Sequence, residues 1–313
     1  MQKAKLREEA KQFGFDLLCV APAKQFKEHL TLKSWIDKGF HGSMTWLEKN
    51  VEKRLDPLKV MPEAKSVIVC ATNYNTAKPY STEHSPLANE DRVWISRYAW
   101  GDDYHEVLKK RFLAFCEQLH QQFPDDIFRA YTDTGPLTER VFAQHSGLGW
   151  VGKNTCIIHP KLGSFLFLTA IITSLELEPD EVMSDHCGKC TRCIDACPTQ
   201  ALKPYELDAR KCISYLTIEH KDKIDAELEE KMGKHLFGCD ICQDVCPWNQ
   251  KSQRTEDVHF QAREHFFAPT LKEFKHLVET QYPQAFKNSP LKRAKKEGLL
   301  KSLARIEKLK KEK

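Results

Sequence analysis

Eight of the twelve cysteines in this 313-residue sequence fall between Cys187 and Cys246. The first run is Cys187-x2-Cys190-x2-Cys193-x3-Cys197, followed directly by Pro198. Three thiols spaced this way wrap one cubane in a tight loop. The fourth sits on the next helix and is aimed at a second cluster, which is the bacterial ferredoxin spacing. The second run, Cys239-x2-Cys242-x3-Cys246-Pro247, is one cysteine short of that pattern, and Cys212 upstream supplies the missing thiol. The pattern assigns Cys187, Cys190, Cys193 and Cys246 to one 4Fe–4S cluster, and Cys197, Cys212, Cys239 and Cys242 to the other. Four-cysteine zinc sites also use Cys-x2-Cys pairs, but the three-cysteine run and both Cys-Pro dipeptides argue for iron–sulfur. The implied chemistry is one-electron transfer, and such a relay needs somewhere to deliver its electrons.

The elements that must position a receiving site lie upstream. Residues 2–13 have helical spacing, FDLLCVA (15–21) and SVIVCATNY (66–74) are strand-like, and 75–92 read as a loop rich in Pro, Ser, Thr and Asn. HEVLKKRFLAFCEQLHQQF (105–123) is helical and stops before Pro124. FRAYTD (128–133), TCIIH and SFLFLTAIITS (164–174) read as strands, with a helix over 138–146 between the first two. This alternation predicts a layered α/β or α+β unit over about 1–176, its strand order unreadable. The remaining cysteines, Cys19, Cys70, Cys116 and Cys156, sit in apolar patterns and read as small buried hydrophobes.

Two motifs in the first part invite chemistry. GLGWVG (147–152) fits G-x-G-x-x-G, yet it follows a helix and precedes a strand, the reverse of a dinucleotide site. Its glycines imply a tight turn or a close backbone approach. In YTDTGPLTER (131–140), Asp133 stands at a strand end before a Gly-Pro turn. Held in a partly closed pocket, it would have a raised pKa and serve as a proton donor; it reads equally as an Asx-turn or a helix cap.

DTGPLTER, GLGWVGKN, GSFLFL, CGKCTRCIDACPTQAL, RKCISYLTIEH and GCDICQDVCPWN occur in this order, with EKRLDP and RYAWGDDYH before them. Over roughly 1–250 the set resembles the epoxyqueuosine reductases. The resemblance implies an α+β fold: a layered cobalamin-binding catalytic domain (1–176), a ferredoxin-like domain with two 4Fe–4S clusters (177–250) and a helical, basic C-terminal segment (251–313). It implies a base-off cobalamin fed by the clusters, and reduction of epoxyqueuosine to queuosine at the wobble position of tRNAs with GUN anticodons. By motif position Asp133 matches the proton donor, and Arg54, Thr138, Ile157, Leu168 and Ser214 match cobalamin contacts. Ser96 stands where some members place a small side chain facing the cobalt. Tyr104 offers a second acid, although DYH also fits a helix N-cap. The partners implied are the tRNA anticodon stem-loop and an external donor such as flavodoxin or ferredoxin, with a monomeric protein.

Composition agrees with a soluble protein, with 29% charged and 41% hydrophobic residues. Nothing approaches the roughly 18 consecutive apolar residues of a membrane span, and the N-terminus lacks a signal-peptide pattern, so a cytoplasmic location is expected. The net charge of +4 is uneven. Residues 292–313 hold eight Lys and two Arg against three Glu, a local +7 that leaves −3 for the rest. Such a run is a solvated helix face or a phosphate-binding stretch; some relatives continue into a helical-repeat module, for which this stretch is a candidate substitute. A reductive dehalogenase would share the cofactors but normally carries a twin-arginine signal. A plain electron carrier would not need a first domain of this size.

Overall fold

The structure, a computed structural model, describes residues 2–83 and 91–311. Positions 84–90 of the expected loop, and the last two residues of the basic segment, lie outside the described residues. In chain order the strands are β1 (Leu17–Pro22), β2 (Ser66–Asn73), β3 (Trp94–Ile95), β4 (Phe128–Tyr131) and β5 (Trp150–Val151). They continue with β6 (Ile157–Ile158), β7 (Leu166–Thr173), β8 (Leu202–Lys203), β9 (Glu206–Leu207) and β10 (His235–Phe237).

The main sheet has the order β1-β2-β7-β4, and every neighbouring pair is antiparallel. β2 is buried along its whole length, because successive residues face opposite sides and both sides are covered. Ile68 and Cys70 share a core with Phe115 and Leu119 of the helix Tyr104–Gln122 and with Leu6 of the helix Gln2–Gln12. Val67, Val69 and Ala71 pack on the other side with Phe142 and Ala143 of the helix Glu139–His145. Each fully buried Phe or Leu side chain in these layers stabilises the fold by about 1.5–3 kcal/mol. The result is the expected α+β architecture, with helices on both faces of an antiparallel sheet.

A second core joins distant parts of the chain. β3 pairs in parallel with β10, and Trp94, Trp100 and Phe237 pack with Phe274, Phe286, Leu299, Leu303 and Ile306. The helix Leu271–Thr280 starts with a capping box, Thr270 and Glu273 each accepting from the other's backbone N–H. The basic segment forms the helix Lys295–Lys311, whose apolar stripe of Leu299, Leu303 and Ile306 is buried in this core. Arg305 is buried with it and donates to the carbonyls of Gly233 (2.8 Å) and His235 (2.5 Å). Lys310 pairs with Asp91, Arg293 grips Glu219, and Lys301 donates to the carbonyls of Lys221 and Asp222. The segment is therefore a docked element with much of its charge engaged inside the chain.

Candidate active site

β4 ends at Tyr131, and the chain then makes a tight turn in which Thr134 N–H donates to Thr132 O at 2.6 Å. Asp133, at the centre of this turn, has φ +58°, a left-handed conformation that Asp tolerates better than most non-Gly residues. Strain of this kind persists where surrounding contacts hold it. Here Glu139 Oε1 accepts from Asp133 N–H at 2.9 Å, and Thr132 Oγ1 meets Thr169 Oγ1 of β7 at 2.7 Å. The turn presents the carboxylate to a cleft of about 280 Å³ lined by Tyr74, Tyr98, Tyr104, Arg140, Phe167 and Leu168.

The first turn of the helix Tyr104–Gln122 supplies the partners. Tyr104 Oη donates to Asp133 Oδ2 at 2.7 Å, its ring stacked on Phe167 with centroids 4.4 Å apart. His105 Nε2 lies 3.4 Å from the same oxygen. Its Nδ1 lies 2.9 Å from Asp103 Oδ1, and Asp103 also caps the helix by accepting from His105 N–H. Asp133 itself caps no helix: Thr138 occupies the N-cap of the helix that follows.

The electrostatics differ from the sequence expectation. The Asp133 side chain is 65% exposed on its cleft side and hemmed in by protein on the other. His105 chiefly, with help from Tyr104, holds its carboxyl below the usual carboxylate range against the opposing effect of burial. For His105, burial favours the neutral ring, but hydrogen bonds to Asp103 and Asp133 outweigh it and push the imidazole up to about 9. Burial raises Glu139 to about 7, and the nearby Asp133 charge adds to this. With the cleft open, Asp133 is thus an ionised carboxylate beside an imidazolium, not the neutral acid that an apolar pocket would give.

The structure brings several of the remaining predicted residues to the same place. Arg54 Nη1 donates to Gly135 O at 3.2 Å in the Asp133 loop, while its Nε is buried without a partner. Thr138 Oγ1 is likewise buried and unpartnered. Leu168 lines the cleft, and Ile157 lies in β6 within the core under the helix Glu139–His145. Ser214 lies in the first turn of the helix Ile213–Ile218, and its N–H points at the Cys212 thiol. Ser96 is not at the cleft. It is buried, its Oγ donates to Asp240 Oδ1 at 2.5 Å, and Trp94 Nε1 and Arg97 N–H donate to the other oxygen of that carboxylate. Asp240 lies between Cys239 and Cys242, so Ser96 anchors the second cysteine run.

GLGWVGKN joins the cysteines to the cleft. As the glycines implied, a Cβ at Gly147 would come within 1.9 Å of Glu181 O, and one at Gly149 within 2.3 Å of Ile158 O. β5 and β6 form a short antiparallel hairpin. From it Lys153 Nζ donates to Gly188 O (2.8 Å) and Cys190 O (2.9 Å) of the first run. Asn154 Nδ2 donates to Cys242 O of the second at 3.2 Å. Thr155 O accepts from Arg140, which lines the cleft, at 2.9 Å.

None of the twelve cysteines, all among the described residues, is paired in a disulfide. Burial raises the Cys193 thiol to about 11, and the proximity of Cys246, Cys187 and Cys190 adds to it. Cys212 neighbours Cys197, and Cys239 and Cys242 neighbour Cys212. Ala201 N–H donates to Cys197 Sγ at 3.4 Å, and the backbone N–H groups of Lys153, Tyr215, Ile241, Trp248 and Asn249 stand near Cys187, Cys212, Cys239 and Cys246. Such N–H···S contacts are a means of setting cluster potential. Burial raises Cys19, Cys116 and Cys156 to about 11, 12 and 11, as suits inert thiols. Sequence reasoning singled out Tyr104 but missed His105, Glu139 and Arg140. Asp103-x-His105 at a helix start was the available signal for the first; Glu139 and Arg140 gave none.

Residues 186–249 match the family described as "4Fe-4S double cluster binding domain". A double-cluster domain wired to a cleft with a held carboxylate defines the class: an iron–sulfur oxidoreductase. Residues 54–134, from Arg54 through Asp133, match "Epoxyqueuosine reductase QueG, DUF1730". The chain is 39% identical over 300 residues to the epoxyqueuosine reductase of Leadbetterella byssophila, covering 96% of each. It superposes with TM-score 0.87 at 30% identity on an epoxyqueuosine reductase solved with an epoxyqueuosine-modified tRNA-Tyr stem loop, covering 97% of this chain and 80% of that one. On the Bacillus subtilis enzyme, solved with a catalytic aspartate loop swung out of the active site, the values are 0.85, 29%, 97% and 80%. The chain belongs to the epoxyqueuosine reductase family. Among the described residues no helix is long and apolar enough to cross a membrane.

Proposed function

We propose that this protein reduces epoxyqueuosine to queuosine in tRNA, with Asp133 as the proton donor to the epoxide oxygen. The observation that carries the reading is the Asp133 turn, a strained carboxylate at the mouth of a cleft and bound by Tyr104 and His105. Removing the oxygen takes two electrons and two protons and leaves an alkene and water. An acid is required because an alkoxide is a poor leaving group near pH 7. The captured loop movement in the Bacillus subtilis relative supports a turn that delivers its carboxylate by swinging.

A base-off cobalamin fits beside this turn. The orphaned Arg54 Nε and Thr138 Oγ1 are donors that the amide-bearing rim of a corrin would satisfy, and Leu168 and Phe167 offer an apolar wall. Ile157 and Ser214 complete the set of contacts we assign. When bound, the corrinoid supplies a strongly reducing, nucleophilic centre towards the strained ring. The protein's own part is to hold the nucleoside against Asp133, exclude water from the cleft and supply protons there. A corrin over the cleft would desolvate Asp133 and favour its protonated form.

We assign Cys187, Cys190, Cys193 and Cys246 to one cluster and Cys197, Cys212, Cys239 and Cys242 to the other. The closeness of Cys193 to Cys187, Cys190 and Cys246, and of Cys212 to Cys197 and Cys239, supports the division, while Cys242 stands near Cys156 and Cys193 as well as Cys239 and Cys212. We read residues 1–176 as the catalytic domain, 177–250 as the cluster domain and 251–313 as a docked helical segment. The protein works as a cytoplasmic monomer, with a flavodoxin or ferredoxin as electron source. The test is nucleoside mass spectrometry of tRNA from a host lacking its own reductase, complemented with this gene or its Asp133→Asn variant. Conversion of accumulated epoxyqueuosine by the first and not the second is expected. Persistence of epoxyqueuosine with the wild-type gene, clusters and cobalamin both loaded, would overturn the reading.

A further inference from the structure

The inference rests on the function proposed above and concerns proton supply. Taking an epoxide oxygen out as water consumes two protons, whereas a carboxyl group carries one at a time. Asp133 must therefore be reloaded within each turnover. Tyr104 donates to it, but burial holds its phenol pKa well above the ordinary tyrosine range, which leaves His105 as the better source. His105 Nε2 lies 3.4 Å from Asp133 Oδ2, and Nδ1 lies 2.9 Å from Asp103 Oδ1. The ring thus faces a carboxylate at each nitrogen, hydrogen-bonded to Asp103 and within ion-pair distance of Asp133, an arrangement that favours the doubly protonated form. Its edge is open to water, the side chain being 35% exposed.

We propose that His105, oriented by Asp103, is the positioning residue that passes each proton of the reaction to Asp133. At rest the proton sits on His105 and Asp133 is ionised. Moving it from Nε2 to Oδ2 creates the acid, which protonates the epoxide oxygen as the first carbon–oxygen bond opens. His105 takes a second proton from solvent and reloads Asp133. That acid then protonates the new hydroxyl, the second carbon–oxygen bond breaks, and water departs. The two electrons supplied through the iron–sulfur chain complete the carbon–carbon double bond. Two protons from solvent and two electrons are consumed per oxygen removed.

The charges around the ring suit the task. Asp103 faces it from its own helix, and Asp133 from the turn after β4. Glu139 and Arg140 stand behind that turn and act on Asp133. Lys292 acts on Asp103, and Arg293 acts on Asp133 and Tyr104. The two carboxylates in direct contact dominate, so the imidazole keeps its proton across neutral pH, with a midpoint near 9.

The test has one readout independent of cobalamin. Histidine-selective NMR of the cluster-loaded, cobalamin-free protein, with His105→Gln identifying the resonance, is expected to give a midpoint near 9. It should fall by about one unit or more in Asp103→Asn and in Asp133→Asn. With loaded enzyme and an epoxyqueuosine stem-loop, kcat should fall on the alkaline side with the same midpoint, and this limb should move down in Asp103→Asn. His105→Gln should lose about 10²-fold or more in kcat and lose the limb, with KM and cofactor content unchanged. An unperturbed midpoint near the ordinary 6.5, or variants that keep the wild-type kcat and limb, would overturn the relay. So would losses confined to KM or cofactor content, which mark a purely structural role. Failure of the wild-type enzyme itself, fully loaded, would instead overturn the function on which the relay rests.

Discussion

Tyr104 and Asp133 meet at 2.7 Å across the cleft, the phenol donating to the carboxylate from a ring laid flat against Phe167. A donor to the ionised form makes the carboxyl harder to protonate. Tyr104→Phe keeps the stack and removes only that bond. The Asp133 titration midpoint, followed by carboxyl-region infrared difference spectra against Asp133→Asn, should rise by about one unit. Conversion should stay within about tenfold of wild type, since the acid itself remains. An unmoved midpoint would mean that the phenol does not tune the carboxylate.

Arg54 Nε and Thr138 Oγ1 are two of the buried side-chain polar atoms without a hydrogen-bond partner, and both belong to the surroundings of the Asp133 turn. Arg54→Ala should weaken cob(II)alamin binding about tenfold or more, the worth of one hydrogen bond to a charged group, as read by absorbance titration. Thr138→Ala should have a smaller effect, and iron content should not change in either. Wild-type affinity in both variants would place the corrinoid elsewhere.

The raised pKa of His105 makes a prediction about stability. A group that binds its proton more tightly when folded contributes fully below its unfolded pKa, near 6.5, and loses that contribution as pH rises through its folded value of about 9. Between these values the melting temperature of the wild type should fall relative to that of His105→Gln. Parallel curves across this window would show that the folded protein does not hold the proton.

In the basic segment the core and the charges separate cleanly. Leu303→Ala should cost about 2–5 kcal/mol of stability through the cavity it leaves, measured by denaturant unfolding. Lys292 and Arg293 are exposed and electrostatically linked to the cleft residues Asp103 and Asp133. Replacing each by Ala should weaken stem-loop binding and flatten its salt dependence by about one unit of slope per charge, at a cost in stability of about 1 kcal/mol or less for Arg293, whose partner is Glu219. Unchanged slopes would take the tRNA path away from this edge.

The ends of the molecule's logic were the easiest to read from residues alone. Cysteine spacing is chemistry written in one dimension, and β2 announced itself because a strand covered on both faces is apolar throughout. Asp133 was visible as a strand-end carboxylate beside a Gly-Pro turn. Its ionisation was not, because the deciding partners, Tyr104 and His105, are about thirty positions away and meet it only through the packing of a helix on a sheet. The partner of Ser96 was hidden for a related reason. The serine's position came from the family resemblance alone, and the buried carboxylate of Asp240 that takes its hydroxyl lies 144 positions away. The antiparallel order of the sheet had no local signature, since alternating helices and strands are compatible with either direction of return.

The hairpin bearing Lys153 and Asn154 has a consequence for how the enzyme matures. Its side chains hold backbone carbonyls in both cysteine runs, and the next residue holds Arg140 at the cleft. Cysteine loops of this kind take up a fixed shape only around their metal. A chain made in an iron-starved cell would lack the frame against which the hairpin braces, and with it the cleft's rim. The hairpin thereby ties the shape of the cleft's rim to that of the cysteine runs, so that disturbing either run would disturb the rim as well.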